Sequence, residues 1–287
     1  MAESLSIVAS LWNALTDPLA DPITQRALLE TSLLAISSAA VGCWIVLYGL
    51  SYSSESLSHS MLPGLVVATL TGAPLMLGGT VGIVVAALAI ALVGRVREVA
   101  GDTAVAIVVT TLFGLGALLA LSPASPPGIQ NLLFGDVLGV SDSDLLFAGL
   151  AVVVAVGALW ILHERLLAVG FDRPGAQALG LRPGLAEAAL LVLIALAVVV
   201  GVQGLGNLLV VAMLVGPAAT ARQISNRVLP MIGTAIGVGV LGGACGLYLS
   251  FYAGTAAGAS IAAALVAIFL LITVAGTAAG PTPEAAR

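Results

Sequence analysis

The chain has 287 residues, 60% of them hydrophobic and 8% charged, with mean hydropathy +1.17 and a formal net charge of −5. Soluble domains carry about 25% charged residues, so this is the composition of a polytopic all-α membrane protein that sits in lipid, keeps no large soluble domain and has no nucleic-acid partner. All nine basic residues are arginine, and without lysine the chain can hold neither a P-loop nucleotide site nor a Schiff-base cofactor.

Residues 1–26 are acidic and lack a basic n-region, so no cleavable signal peptide is expected. Leu5, Ile7, Val8, Leu11, Trp12 and Leu15 suit a short amphipathic segment lying at the interface, broken by Pro18 and Pro22; a disordered tail is the alternative. Apolar runs of about 18 residues mark spanning helices. About nine are predicted, within a range of eight to ten: 27–50, 54–72, 75–93, 103–121, 145–162, 185–202, 205–221, 230–252 and 259–275. Residues 27–275 thus form the transmembrane domain and 276–287 a cytoplasmic tail. Cys43 and Cys245 both fall in spans and read as small buried apolar residues.

The second span opens with a polar stretch, Ser-Ser-Glu-Ser-Leu-Ser-His-Ser-Met-Leu-Pro-Gly at 53–64. It holds one of the two histidines and the only acid between Glu30 and Glu98. Glu55 and His59 are four apart and share a helix face. A carboxylate and an imidazole presented together make a two-ligand claw for a divalent metal. An ionisable pair at the edge of apolar runs is costly and points to function. The bland alternative is a self-cancelling pair in a solvated loop. Pro63 in this span and Pro217 in the seventh are candidate hinges, and either span is a candidate for a broken or re-entrant helix. Irregular backbone at membrane depth is tolerated only where protein or a water-filled path covers it.

Between the fourth and fifth spans, Ser141 is placed to cap the fifth, with Asp142 and Asp144 favourable in its first turn. Asp136 is a candidate for receiving substrate at the outer mouth, although a turn role after Gly135 is the plainer reading. Residues 163–184 form the largest cytoplasmic excursion. Its core, Ala176, Gln177, Ala178, Leu179 and Gly180, flanked by Asp172 and Arg182, predicts one short helix parallel to the membrane, suited to taking force from a cytoplasmic motor; a plain loop is the alternative. His163, beside Glu164 at a span end, marks an interface rather than a metal site. With the N-terminus outside and the C-terminus inside, eight of the nine arginines fall on the cytoplasmic side and only Arg26 outside. Glycine pairs four apart, Gly233/Gly237, Gly239/Gly243, Gly242/Gly246 and Gly254/Gly258, let the last helices approach closely.

Four stretches, in order, resemble the permease subunits of metal-ion ABC importers, which take up zinc, manganese or iron. The family pattern Gly-Asp-x-Leu-x-His-Ala/Ser-x-x-x-Gly is similar to Ser54-Glu55-Ser56-Leu57-Ser58-His59-Ser60-Met61-Leu62-Pro63-Gly64. The stretch from Phe134 to Ser141 resembles Phe-Gly-Asp-[IVL]-Leu-x-[IV]. Ala178-Leu179-Gly180-Leu181 is similar to the Ala-Leu-Gly-[IVL] coupling segment, and the stretch from Leu214 to Arg222 to Leu-[IL]-x-Pro-Ala-Ala-Thr-Ala-Arg. The resemblance implies a multi-pass permease of the bacterial plasma membrane that pairs with a second permease chain, identical or related. It implies two cytoplasmic ABC ATPase subunits that bind the ATP, an extracellular metal-binding solute-binding protein, and no permanent cofactor. Glu55 and His59 would ligate the transported ion. Two departures stand out: Glu55 replaces the usual aspartate, and Thr255 to Ala259 lacks both prolines of the family's Thr-Pro-Ser-Gly-Pro stretch.

The expected function is therefore inward transport of zinc or manganese, or iron, by alternating access, with no enzymatic activity in this chain. Imidazole ligates metal only when neutral, so acid should weaken uptake. Two rivals remain: an ABC permease for a metal chelate such as a siderophore or cobalamin, which needs no bare-ion claw, and a proton-coupled secondary carrier with Glu55 as proton site. An intramembrane enzyme would need more convergent polar groups at membrane depth.

Overall fold

A computed structural model describes residues 16–93, 96, 102–122 and 137–278. Among the described residues there is no strand. Ten helices follow in order: α1 (Pro22–Leu47), α2 (Ser51–Ser60), α3 (Leu62–Thr71), α4 (Leu75–Val93), α5 (Asp102–Ala120), α6 (Asp142–Phe171), α7 (Arg173–Ala178), α8 (Pro183–Ile224), α9 (Val228–Ala253) and α10 (Ala257–Ala278). Among the described residues six segments are long and apolar enough to cross a membrane: Pro22–Leu47, Thr103–Ala120, Asp142–Phe171, Pro183–Gly206, Val228–Ala253 and Ala257–Thr277. Leu75–Ile90 and Leu209–Ile224 are shorter apolar helices.

The starts of α1 and α6 are fixed by side chains. Asp21 accepts from the backbone N–H groups of Ile23 and Thr24 at 3.3 and 3.2 Å, with Pro22 where no donor is needed. Ser141 and Asp144 cap α6 reciprocally, as the sequence predicts for Ser141. That helix then runs on through His163 to Phe171. The long excursion expected over 163–184 is thus mostly helix, because a polar stretch ends the lipid-facing zone without interrupting the backbone ladder. His163 lies inside α6 with its ring edge-on to Trp44, centroids 5.6 Å apart.

The sixth and seventh predicted spans are the two arms of α8. Gly206 sits between them at φ 76°, ψ 161°, a region open essentially to glycine alone. A Cβ on Gly201 would lie 2.9 Å from Val210 Cγ2, whereas nine residues of straight helix span about 13.5 Å. The chain therefore doubles back at Gly206. Pro217, the expected hinge, lies within helical backbone in the second arm, eleven residues beyond the turn at Gly206.

Contacts mark the two ends of the bundle. At one end Arg26 Nη2 meets Asp142 Oδ1 at 2.8 Å. Residues from α1, α4, α6 and the α8 turn also line a shared cavity there. At the other, the Tyr48 hydroxyl donates to the Leu166 carbonyl at 2.8 Å, and Thr273 donates to the Gln223 side-chain carbonyl at 3.0 Å. α1 is the hub, packed against α6, α8 and α9, with Leu34, Trp44 and Ile45 fully buried. Small residues permit this: a Cβ on Gly42 would overlap the Leu214 carbonyl, and one on Gly243 would lie 2.6 Å from Thr31 Cγ2. Among the predicted glycine pairs, Gly239/Gly243 and Gly242/Gly246 pack closely, whereas Gly233, Gly237 and Gly254 face open space. Cys43 is buried, but Cys245 is exposed on the outer face of α9, against expectation.

Candidate metal path

The second predicted span is two helices, α2 and α3, meeting at Met61. Pro63 follows the junction and has no N–H to donate back to His59, so the helical ladder is interrupted there; the next bond runs from Leu65 N–H to the Met61 carbonyl at 3.1 Å. Pro63 thus stands at a discontinuity between two helices.

α2 buries its serines. Ser54, Ser56, Ser58 and Ser60 are at most 4% exposed. The Ser54 and Ser60 hydroxyls donate to the carbonyls of Ser51 and Leu57 at 2.8 and 2.9 Å. This leaves Glu55 and His59 on a more open face, the side chains 54% and 24% exposed, with His59 Nε2 3.9 Å from Glu55 Oε1. That gap is too long for a hydrogen bond. A divalent ion bonding each atom at about 2.1 Å would draw them slightly together. The imidazole is steadied by Phe113 of α5, edge-on with centroids 5.2 Å apart. Among the described residues no third His, Cys, Asp or Glu joins the pair. Among the described residues this face therefore presents two candidate ligands, Glu55 and His59.

The junction behind the claw rests in a socket of glycines. A Cβ on Gly82 would lie 2.9 Å from Met61 Cα, and one on Gly116 would lie 2.8 Å from the Pro63 nitrogen. Gly64 and Gly78 meet carbonyl to Cα in both directions. A Cβ on Gly79 would meet Met61 Cε at 2.8 Å and Val199 Cγ1 at 3.8 Å, so the first arm of α8 also reaches the junction.

Sequence reasoning passes over Glu30. It lies in α1 at 3% exposure, and its carboxylate sits flat on Gly204, two residues before the α8 turn: a Cβ there would overlap Oε1 and lie 2.8 Å from Cδ. Glu30 also lines a cavity of about 440 Å³ with Gln203 and Asp144. An acid inside a spanning run was the available signal.

The predicted short helix over 172–182 is α7. Asp172 caps it, accepting from Gly175 N–H at 2.9 Å. The turn closes with Gly180 N–H to the Gln177 carbonyl and Leu181 N–H to the Ala176 carbonyl, both 3.0 Å. Ala176 is buried, while Asp172, Gln177, Ala178, Leu179, Gly180 and Arg182 are exposed, Leu179 at 80%. Arg173 Nη1 pairs with Glu187 Oε1 at 2.8 Å, tying α7 to α8. Asp136 lies outside the described residues.

Residues 20–276 match the family described as the ABC 3 transport family. The chain belongs to this family. It is a transport permease rather than an enzyme, and a multi-pass protein of the bacterial cytoplasmic membrane. The permease is 35% identical over 229 residues to the manganese transport system membrane protein MntC of Halalkalibacterium halodurans, covering 78% of this chain and 77% of that protein. It is 32% identical over 241 residues to the probable iron transport system membrane protein of Haemophilus influenzae, covering 83% and 88%. Among solved structures, PsaBC from Streptococcus pneumoniae in complex with Fab aligns with TM-score 0.84 at 29% identity, over 91% of this chain and 95% of that one. Where the permease lacks the two prolines expected near Thr255, its α9–α10 turn closes by other means. Gly254 adopts φ 63°, Ser250 donates to the Thr255 carbonyl at 2.6 Å, and the Thr255 and Ser260 hydroxyls lie 2.7 Å apart.

Proposed function

We propose that the permease carries a bare divalent transition-metal ion, manganese or iron, into the cytoplasm, with Glu55 and His59 as its ligands. The carrying observation is the open carboxylate–imidazole pair on α2, 3.9 Å apart, immediately before the discontinuity at Met61. The names of the relatives favour manganese and iron, and zinc drops behind them. Two copies related by a two-fold axis would bring two carboxylates and two imidazoles to one ion, closer to the four to six ligands such ions take.

Nine crossings with the N-terminus outside support this use. α2 and α3 together make one crossing and the two arms of α8 make two; this puts Arg165, Arg173, Arg182, Arg222 and Arg227 on the cytoplasmic side. α7 then lies at the cytoplasmic face, where the exposed residues in and beside it, Asp172, Gln177, Ala178, Leu179 and Gly180, meet an ATPase subunit, with Arg182 flanking them behind the contact at the start of α8. ATP-driven closure pushes on α7, α8 transmits the movement to the junction at Met61, and the claw changes exposure. An extracellular binding protein delivers the ion at the Arg26–Asp142 end. A chelate path would have no use for the claw.

The test is uptake in cells expressing the full assembly, native against Glu55→Ala and His59→Ala, with membrane levels matched and manganese, iron and zinc offered separately. Collapse of uptake for one metal names the substrate. Normal transport by both variants would reject the ligand assignment and bring the chelate and carrier functions forward.

A further inference from the structure

Arg165 near the end of α6 and Arg182 just before α8 line one cavity of about 370 Å³, whose remaining walls include Leu162, Val169, Leu181 and Leu185. Two guanidiniums over an apolar floor are an amphipathic site. Neither arginine forms a salt bridge among the described residues. The acids nearby in sequence are engaged elsewhere or do not line the cavity. Glu187 is held by Arg173 at 2.8 Å, Asp172 caps α7, and Glu164 does not line the cavity.

The depth of the cavity fits a lipid headgroup. α6 has 30 residues, about 45 Å of helix, against a hydrocarbon core of about 30 Å. Trp160, 81% exposed on α6, suits the membrane–water interface where tryptophan collects. Arg165 is one and a half turns further along, about 7.5 Å beyond it, at the level of lipid phosphates. Leu185, 64% exposed, continues the apolar floor outward toward the acyl region.

We propose that this cavity binds one anionic phospholipid, its phosphate between Arg165 and Arg182 and an acyl chain along Leu162 and Leu185. The lipid would brace the α7–α8 turn, the segment that carries force into the bundle. The assignment rests on the proposed cytoplasmic placement of α7 only for which leaflet supplies the lipid.

The experiment places the full transporter in nanodiscs of equal phosphatidylglycerol and phosphatidylcholine, extracts it gently, and reads retained lipid by native mass spectrometry. Nanodiscs offer both lipids to both faces, so binding is read independently of orientation and of transport. The native protein should retain phosphatidylglycerol at about thirty-fold excess, about five-fold for each arginine. Arg165→Gln should cut the excess to about five-fold, and Arg165→Lys should keep most of it. Arg227→Gln, an exposed arginine outside the cavity, should leave it unchanged. Equal retention of both lipids by the native transporter, or an excess undiminished by Arg165→Gln, overturns the site. Release of the lipid by millimolar inorganic phosphate would make it a free-anion site and overturn the lipid assignment.

Discussion

Gly82 of α4 and Met61, at the junction of α2 and α3, touch backbone to backbone: a Cβ on Gly82 would lie 2.9 Å from both the Cα and the carbonyl oxygen of Met61. Gly116 of α5 stands in the same relation to Pro63, while Gly114, two residues earlier, has nothing within 4 Å. One helix therefore separates close approach from mere helix propensity. Gly114→Ala should be neutral or slightly stabilising, since alanine narrows the unfolded ensemble. Gly82→Ala and Gly116→Ala must push backbone aside. Each should cost about 1–3 kcal/mol, as overpacking does, and depress uptake because the displaced junction carries His59. Thermal unfolding and uptake measured together decide it. If Gly114→Ala and Gly116→Ala behave alike, the glycine socket plays no part.

The claw makes a prediction about selectivity. Glu55→Asp draws the carboxylate back by one methylene and widens the 3.9 Å gap to His59. The charge and ligand type remain, so uptake should persist with an altered manganese-to-iron preference. Glu55→Gln keeps the length and loses the charge. Its uptake should fall by more than the roughly 10–100-fold that outer-shell changes cost at metal sites. Competition uptake with the two metals separates the outcomes. An unchanged preference in Glu55→Asp together with normal uptake in Glu55→Gln would show that the ion never meets this carboxylate.

Local signals in the sequence were enough to put Glu55 and His59 on one helix face, and for the Ser141 cap, the short helix now seen as α7 and most helix boundaries. Each depends on residues within one turn of one another, or on an apolar run of fixed length. The break in α8 falls at Gly206, where the sixth and seventh predicted spans meet, at a φ/ψ that glycine alone tolerates. What was missed depends on packing against chain that is distant in sequence. Pro217, the stronger local breaker, is accommodated within helix. Cys245 sits in an apolar run like Cys43, and only the packing of α9 decides that one is exposed and the other buried. Glu30 was passed over because its seat on Gly204 lies far along the chain.

α7 predicts a separation between assembly and folding. Leu179 is 80% exposed at the end of a six-residue helix and takes no part in the buried core. Leu179→Ala should therefore leave membrane levels and thermal stability unchanged, within the roughly 0.5 kcal/mol typical of surface changes. If α7 is the docking element, the same variant should lose co-purifying ATPase and, with it, uptake. Ala176→Leu, at a buried position, should instead destabilise the permease itself. Full ATPase recovery with Leu179→Ala would place the docking contact elsewhere.

Glu30 and Gly204 fit each other by size, which makes them testable by exchange. The Glu30 carboxylate fills the space that a side chain at position 204 would need. Gly204→Ala forces the carboxylate away and should displace the first arm of α8, whose Val199 faces the same small space beside Met61 as Gly79. Uptake and thermal stability should both fall. Glu30→Asp withdraws the carboxylate by one methylene and should be mild alone. Combined with Gly204→Ala it should recover much of the loss, a coupling of about 0.5–3 kcal/mol of the kind residues in contact show. A double variant no better than Gly204→Ala alone would mean that the damage comes from the turn itself rather than from Glu30. Recovery would identify the Glu30–Gly204 contact as what holds the Gly206 end of the first arm of α8, opposite the end where α7 joins it.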